Sequence, residues 1–436
     1  MQQPPEKISI FWFRRDLRTD DNHALFQALS GQLKVIPIFI YDENILGELD
    51  RTDSRVTFIH RLLSKINKKF AASNSGVATF FGKPVEVFKQ LVAENQIDSV
   101  FTNRDYEPYA TARDVEVQSL LSKHNIQFHD FKDHIIFEQS EVVKPDGKPY
   151  LVFTPYSNKW KAALSKSEIP EFKSELKLTN LSNNQYPFLT LAQIGFTESA
   201  VGPPELNVST NIIDNYSQTR NLPIKPTSYL GAHLRFGSTS IRKLVRLALS
   251  AKDPTFLNEL IWREFFIQIL FHFPHTVDRS FKPQYDHVQW RNNETDFKNW
   301  CQGKTGYPMV DAGMRELNAT GFMHNRVRMI TAGFLCKHLL IDWRWGEAYF
   351  ATKLLDYEQA SNVGNWQWAA GSGVDAAPYF RIFNPSEQLR KFDPKFEYVR
   401  KWIPEFDDLS YPQPIVDHAF ARERCISTYK QALSQF

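Results

Sequence analysis

The chain is short of cysteine, of net charge and of long apolar runs, and each shortage removes a class of protein. Three cysteines in 436 residues, Cys301, Cys336 and Cys425, cannot build a disulfide framework, and a four-thiolate iron–sulfur or zinc site would need one more. Their wide spacing fits buried thiols in a reducing compartment, so cytoplasmic residence is the expectation. The longest apolar stretches, such as KVIPIFI at 34–40, fall far short of the ~18–20 residues a spanning helix needs, and no membrane partner is expected. The opening MQQPPEKISI runs into a strand pattern with neither an apolar h-region nor an Arg/Ser-rich presequence. A net charge of +3 is too small to announce a nucleic-acid partner by itself. The loop FRRDLRTDDN (13–22) lacks the glycines of a dinucleotide fingerprint. No P-loop, nucleophile elbow or HExxH motif occurs, so hydrolytic chemistry has no visible machinery and no metal site is expected.

Aromatic residues, by contrast, are abundant. Phe, Tyr and Trp make up 14% of the chain, and eight of the ten tryptophans lie beyond residue 250. Bulky cores account for most such enrichment. The other account is that the rings stack on a ligand or carry electrons.

Short β-branched or aromatic runs at 8–13, 35–41, 77–81 and 98–103 read as buried strands, and 54–72, 84–95 and 110–124 carry helical spacing between them. That alternation predicts an α/β N-terminal domain over 1–130, a doubly wound, Rossmann-like parallel sheet. Residues 131–205 read as a long interdomain linker, with NLSNNQYP and VGPPELN as its loop signals. From 206 to 436 strand signals nearly vanish. Helices are expected at 209–219, 227–236, 239–250, 254–272, 308–319, 322–339, 345–355 and 414–433, forming an all-α domain.

Four stretches of this helical half concentrate chemistry. In TSYLGAHLRFGSTS (227–240), Thr227 or Ser228 would cap one helix and Ser238 to Ser240 the next; plain capping and a phosphate site are both open. In ELIWREFF (259–266), Glu259 and Arg263 are four apart, as are Trp262 and Phe266. A solvated ion pair beside a core aromatic pair competes with a stacking surface flanked by charge. In GFMHNRVRMI (321–330), Asn325 and Met329 share a helix face while Arg326 and Arg328 lie on others. An Asn on an apolar face points to a polar ligand or an interior network. His324 has no second His or Cys at ligand spacing. In 356–385, Asp356 and Glu358 precede Asn362, Trp366 and Trp368, and ion pairs with nearby arginines are their plainer use.

Taken in order, FWFRRDLRTDDN, TSYLGAHLRFGSTS, ELIWREFF, GKTGYPMVDAGMRELNATGFMHNRVRM and NWQWAAGSGVDAAPYFRIFNP resemble the photolyase/cryptochrome family. The resemblance runs from residue 8 to 436 and is strongest to the class I cyclobutane-pyrimidine-dimer photolyases of microbes. It implies an antenna-type α/β domain and a helical domain that holds FAD. It also implies light-driven electron transfer from reduced FAD to a flipped-out dimer in single- or double-stranded DNA, by a monomer that is nucleoid-associated when bound.

The same resemblance distributes roles. Tyr216, Thr227, Ser228, Leu230 and Gly231 match the FAD-phosphate segment, and Glu259, Arg263, Asn325 and Glu358 match further cofactor contacts. Arg328 and Asp356 match an ion pair beside the flavin, and Asn362 the amide facing its N5. Trp366, Trp343 and Trp290 match an electron-transfer chain. Trp262 and Trp368 match the walls that stack on the lesion, Glu259 and Met329 match dimer contacts, and Arg220, Arg326 and Arg381 match phosphate contacts. Gly231 stands where Ser is frequent, and Phe256 and Phe322 where Trp is common. NRDYE (103–107) resembles a folate-contacting stretch, so the second chromophore implied is methenyltetrahydrofolate or a deazaflavin. Cryptochrome-type photoreception and (6-4) photoproduct repair are the alternatives. The second would want a histidine facing the lesion, which the Asn325/Met329 face does not offer.

Overall fold

The computed structural model describes residues 6–184 and 186–434. The chain divides into two compact units, each assembled from three separate stretches. One comprises Met1–Glu141, Ala162–Gly202 and Leu230–Ser250; the other comprises Val142–Lys161, Pro203–Tyr229 and Ala251–Phe436. The helix-rich stretch 206–436 is therefore shared between them.

The first unit is built on five parallel strands, β1 (Ile8–Phe13), β2 (Lys34–Asp42), β3 (Ala78–Gly82), β4 (Ile97–Asn103) and β5 (Gln127–Phe131), in the order β3-β2-β1-β4-β5. The four expected strands are present. The fifth was not legible because it is an edge strand of polar, half-exposed residues, QFHDF, with no apolar run to mark it. Alternation along β1 sends Ile8, Ile10 and Trp12 into one apolar layer and Phe11 and Phe13 into the other, which is why the strand reads as continuously hydrophobic.

The glycine-free loop after β1 has a structural use. Arg18 donates to both Asp133 carboxylate oxygens at 2.8 Å, and Arg242 reaches Asp133 at 2.9 Å and Asp21 at 3.0 Å, all four side chains being buried. These bonds hold helix Ile241–Leu249 to the sheet. Gly237 lets that connection close: its φ is +64°, and a Cβ there would run into the Arg15 carbonyl.

Among its described residues the second unit is built from helices joined by loops, with no strand beyond an isolated bridge at Val143 and Pro149. Its core gathers Trp300, Met309, Met314, Leu335, Trp343, Phe350 and Trp366, with Trp290 and Trp368 packed against it. Two helices carry most of the chemistry expected from the sequence. Asn325–Gly333 starts three residues later than the periodicity suggests, because His324 accepts from the Arg326 N–H at 3.2 Å and caps it. It passes into a π turn over Phe334–His338. Gln359–Ala370 is not among the helices expected from the sequence, yet Ala360, Val363, Trp366 and Ala370 face inward at helical spacing. Helix Phe153–Leu164 lies inside the stretch read as linker. Its polar face and proline masked a buried Tyr156 and Trp160, and the Trp160 indole donates to Glu264 at 2.7 Å. Among the described residues no helix is long and apolar enough to cross a membrane.

Candidate active site

A cavity of about 590 Å³ opens in the second unit between helices Asn325–Gly333, Trp343–Lys353 and Gln359–Ala370. Eight residues singled out from the sequence line it: Asn325, Arg328, Met329, Asp356, Glu358, Asn362, Trp366 and Trp368. They come from two helices and the turn between, and separations of three and four residues bring them to one side. Arg328 shares this wall with Asn325 and Met329. Its assignment to another face is corrected, because residues three apart on a helix are neighbours. Asn325 is exposed at the first turn and belongs to no interior network.

Both carboxylates of the 356–358 turn are in ion pairs. Asp356 takes two bonds from Arg328, at 2.8 and 3.1 Å, and Glu358 accepts from Arg263 at 2.7 Å. The partners differ from the i,i+4 ion pair that the spacing of Glu259 and Arg263 offered as one reading. Arg263 turns to Glu358, and Glu259 meets Arg220 at 2.5 Å. Longer-range partners in a drier setting outcompete a solvated helix pair worth only a few tenths of a kcal/mol. Burial raises the Glu259 carboxyl above the ordinary glutamate range, and Arg220 opposes this only in part.

The aromatic residues fall into two groups. Trp262 stacks on Phe153 with ring centroids 3.7 Å apart and planes 5° apart, and lies 5.6 Å from Phe266 as their spacing predicts. Trp366 is fully buried and touches Phe350 at 4.9 Å and Trp300 at 6.1 Å. Trp343 is buried in the same core and Trp290 is half-buried at its margin, 5.9 Å from Tyr429. Gly346 is required beside Trp366, since a Cβ would run into the indole ring.

Tyr216 lies edge-on to Phe256 at 5.4 Å, and Phe322 packs against Tyr229 at 5.2 Å, so both phenylalanine departures keep an aromatic contact. Thr227 and Ser228 belong to this unit, whereas Leu230 and Gly231 begin a helix of the other. Arg326 is held by Asn221 at 2.6 Å and Arg381 is exposed. Neither is in a carboxylate ion pair among the described residues.

Sequence reasoning passed over Glu347, Tyr357, Ser361 and Asn365. Glu347 accepts from the Asn362 amide at 2.9 Å, and burial raises its carboxyl above the usual range. Asn365 was accessible to reasoning as the next residue on the Asn362 face. Glu347 carried no such signal, because only folding brings it to Asn362. Among the described residues no three His, Cys, Asp or Glu are grouped to hold a metal ion.

Residues 9–174 match the family model described as DNA photolyase, and residues 256–410 the one described as the FAD binding domain of DNA photolyase. The deoxyribodipyrimidine photo-lyase of Escherichia coli (strain K12) is 36% identical over 97% of this chain and 98% of its own length; that of Halobacterium salinarum is 32% identical over 98% and 99%. Among solved structures, a bacterial class III photolyase from Agrobacterium tumefaciens superposes with a TM-score of 0.87 at 31% identity, covering 99% of each chain. An archaeal photolyase from Sulfolobus tokodaii, described with two FAD molecules, gives 0.79 at 31% identity over 97% of this chain and 99% of its own. A Synechocystis cryptochrome shares the fold, with a TM-score of 0.87 at 23% identity over 98% and 100%. With the cavity, its paired charges and full-length relatives in agreement, the chain belongs to the DNA photolyase family.

Proposed function

We propose that this chain repairs cyclobutane pyrimidine dimers in DNA under blue or near-UV light, as a monomeric FAD enzyme. The observation that carries the reading is the convergence of Asn362, Trp366, Trp368, Met329 and the Arg328–Asp356 pair on one cavity. Its residues fit FAD. The lining combines aromatic walls with a few fixed polar groups, the composition of a cofactor cleft. When bound, reduced FAD supplies on illumination the electron that splits the dimer.

The chain's own residues bind and orient. Arg328 and Asp356 neutralise one another and fix the cavity's polar rim. Asn362 offers an amide held from behind by Glu347, and its oxygen is the end left for a ligand. Tyr216, Thr227 and Ser228 are the phosphate-side contacts, with Leu230 and Gly231 continuing the same motif. Trp262 and Trp368 stack on the extruded bases, beside Met329. Glu259, whose carboxyl burial raises while its ion pair with Arg220 opposes the shift, takes the dimer-contact position of the motif. Among the described residues Arg326 and Arg381 are in no carboxylate ion pair and keep their charge for phosphates, whereas Arg220 is paired with Glu259. Trp366, Trp343 and Trp290 relay electrons through the core.

The deciding experiment incubates FAD-loaded protein with dimer-containing or (6-4)-containing oligonucleotides, single- and double-stranded, in light and in darkness. Light-dependent loss of the cyclobutane dimer alone is expected. Equal loss in the dark, or none in light, sinks the reading; the latter with a light-altered flavin spectrum would favour a photoreceptor of the cryptochrome type.

A further inference from the structure

The second unit buries a charge that the repair chemistry does not use. Lys337 belongs to the π turn Phe334–His338, all five of whose residues are buried, and is itself 4% exposed. Lysine is almost never buried to that degree without a counter-charge, because an ammonium taken out of water loses its hydration. Among the described residues Lys337 is in no ion pair with a carboxylate.

The groups around it narrow its role. Burial pushes up the thiols of its neighbours Cys336 and Cys425, so neither is a thiolate at neutral pH that could pair with the ammonium. Among the described residues one acceptor meets that ammonium: the backbone carbonyl of Arg381, 3.0 Å from Nζ.

That carbonyl sits in a segment with few ties of its own. Residues 378–384 form neither helix nor strand. Tyr379 stacks on Tyr429 with ring centroids 5.6 Å apart. At the other end Asn384 caps helix Pro385–Phe392 by accepting from the Ser386 and Glu387 N–H groups. Between these anchors the Arg381 N–H closes a turn onto the Pro378 carbonyl at 2.9 Å, and Lys337 holds the Arg381 carbonyl from the interior. The Arg381 residue is exposed. A guanidinium on a loose loop must be ordered when it meets a phosphate, and a backbone already fixed removes part of that loss.

We propose that Lys337 is a positioning residue for the DNA backbone: its ammonium fixes the Arg381 peptide from inside, so that the exposed guanidinium meets a phosphate with little ordering left to do. The proposal rests on the repair reading for the phosphate contact of Arg381. It accounts for a cation in a buried turn, since an apolar side chain of similar length has no donor for the carbonyl.

The test compares FAD-loaded parent, Lys337→Met, Arg381→Ala and the double variant. Binding to fluorescent dimer-containing and undamaged duplexes is measured in darkness at several salt concentrations, and repair is measured in light on the same preparations. Lys337→Met should weaken binding about fivefold, part of what one charge-assisted hydrogen bond contributes. The factor should be the same for both duplexes, because phosphate contacts position the protein without reading the bases. Arg381→Ala should reduce the salt slope by about one. In that background Lys337→Met should change nothing further, because a residue acting through Arg381 has nothing left to position.

Trypsin gives a reading without DNA, since it cleaves the Arg381–Ile382 bond, whose carbonyl is the one Lys337 holds. Cleavage there should be slow in the parent and about tenfold faster in Lys337→Met. Should Lys337→Met fail to fold, Lys337→Gln, which keeps an amide donor, is read in the same assays for the same directions. Unchanged affinity in Lys337→Met, an equal loss from it with and without Arg381, or rapid cleavage after Arg381 in the parent would overturn the proposal. Parent-like binding by Lys337→Met beside intact repair refutes only this inference, and binding without repair refutes only the repair reading.

Discussion

Glu347 and Asn362 face each other across two helices, the carboxylate accepting a 2.9 Å bond from the amide and Tyr357 donating to the same oxygen at 3.4 Å. Rotation of the amide would leave the carboxylate with only the longer bond from Tyr357. Glu347→Ala should therefore cost about 1–3 kcal/mol in urea unfolding and disturb the spectrum of bound flavin. Glu347→Gln keeps an acceptor and removes the charge. Because burial raises this carboxyl in the folded state, its stabilising contribution is present below the unfolded glutamate pKa and declines as pH rises through the folded value. Glu347→Gln should accordingly be at least as stable as the parent at neutral pH. A variant several kcal/mol less stable there would contradict this account.

Replacing Trp366 with Phe should block photoreduction of oxidised FAD while chemically reduced protein still repairs DNA. Transient absorption gives the first reading and a repair assay the second. Loss of repair by pre-reduced protein would show that Trp366 does more than relay electrons. Its contact with Trp300 adds a control: Trp343→Phe should also block photoreduction if the path runs through Trp343, whereas survival of the signal would move the path to Trp300.

Removing the carboxylate of Asp133 leaves Arg18 and Arg242 buried without their shared partner. Asp133→Ala should lower stability by about 3–5 kcal/mol, as expected for breaking a buried pair. Denaturant titration of the full chain checks this. A loss below 1 kcal/mol would mean that water reaches the guanidiniums.

His324 should make stability depend on pH. Burial, helped by Arg328 and Arg326, lowers its pKa to about 4 from an ordinary value near 6.5. Between these values the unfolded chain binds the proton and the folded chain does not, so stability falls as pH drops from 6.5 towards 4 and is flat above 6.5. The neutral ring accepts from Arg326 N–H, and protonation removes that cap. His324→Asn keeps a capping acceptor and should flatten this part of the profile. An unchanged slope would assign it to other groups, such as the buried His338.

What the sequence made legible follows from what is local. Strands buried on both faces announce themselves as apolar runs, so β1 and β2 were read closely. Edge strand β5 and helix Phe153–Leu164 were not, because their partners and not their own patterns stabilise them. In the site, the spacing of Asn325 and Met329 on one helix put them together, whereas Arg328, which lines the same wall, was assigned to another face. The pairings Arg220–Glu259, Arg263–Glu358 and Asn362–Glu347 join distant segments, and local spacing suggested a different partner for Glu259.

The chain passes from one compact unit to the other five times, at the joins 141/142, 161/162, 202/203, 229/230 and 250/251. No single cut therefore separates them. During synthesis the sheet-bearing unit remains unfinished until residue 250 has left the ribosome, although its last strand ends at Phe131. Half-length fragments would expose apolar surface and lack helix Ile241–Leu249 with its Arg242. Dissecting this protein into its two units therefore calls for circular permutation or point substitution, not truncation.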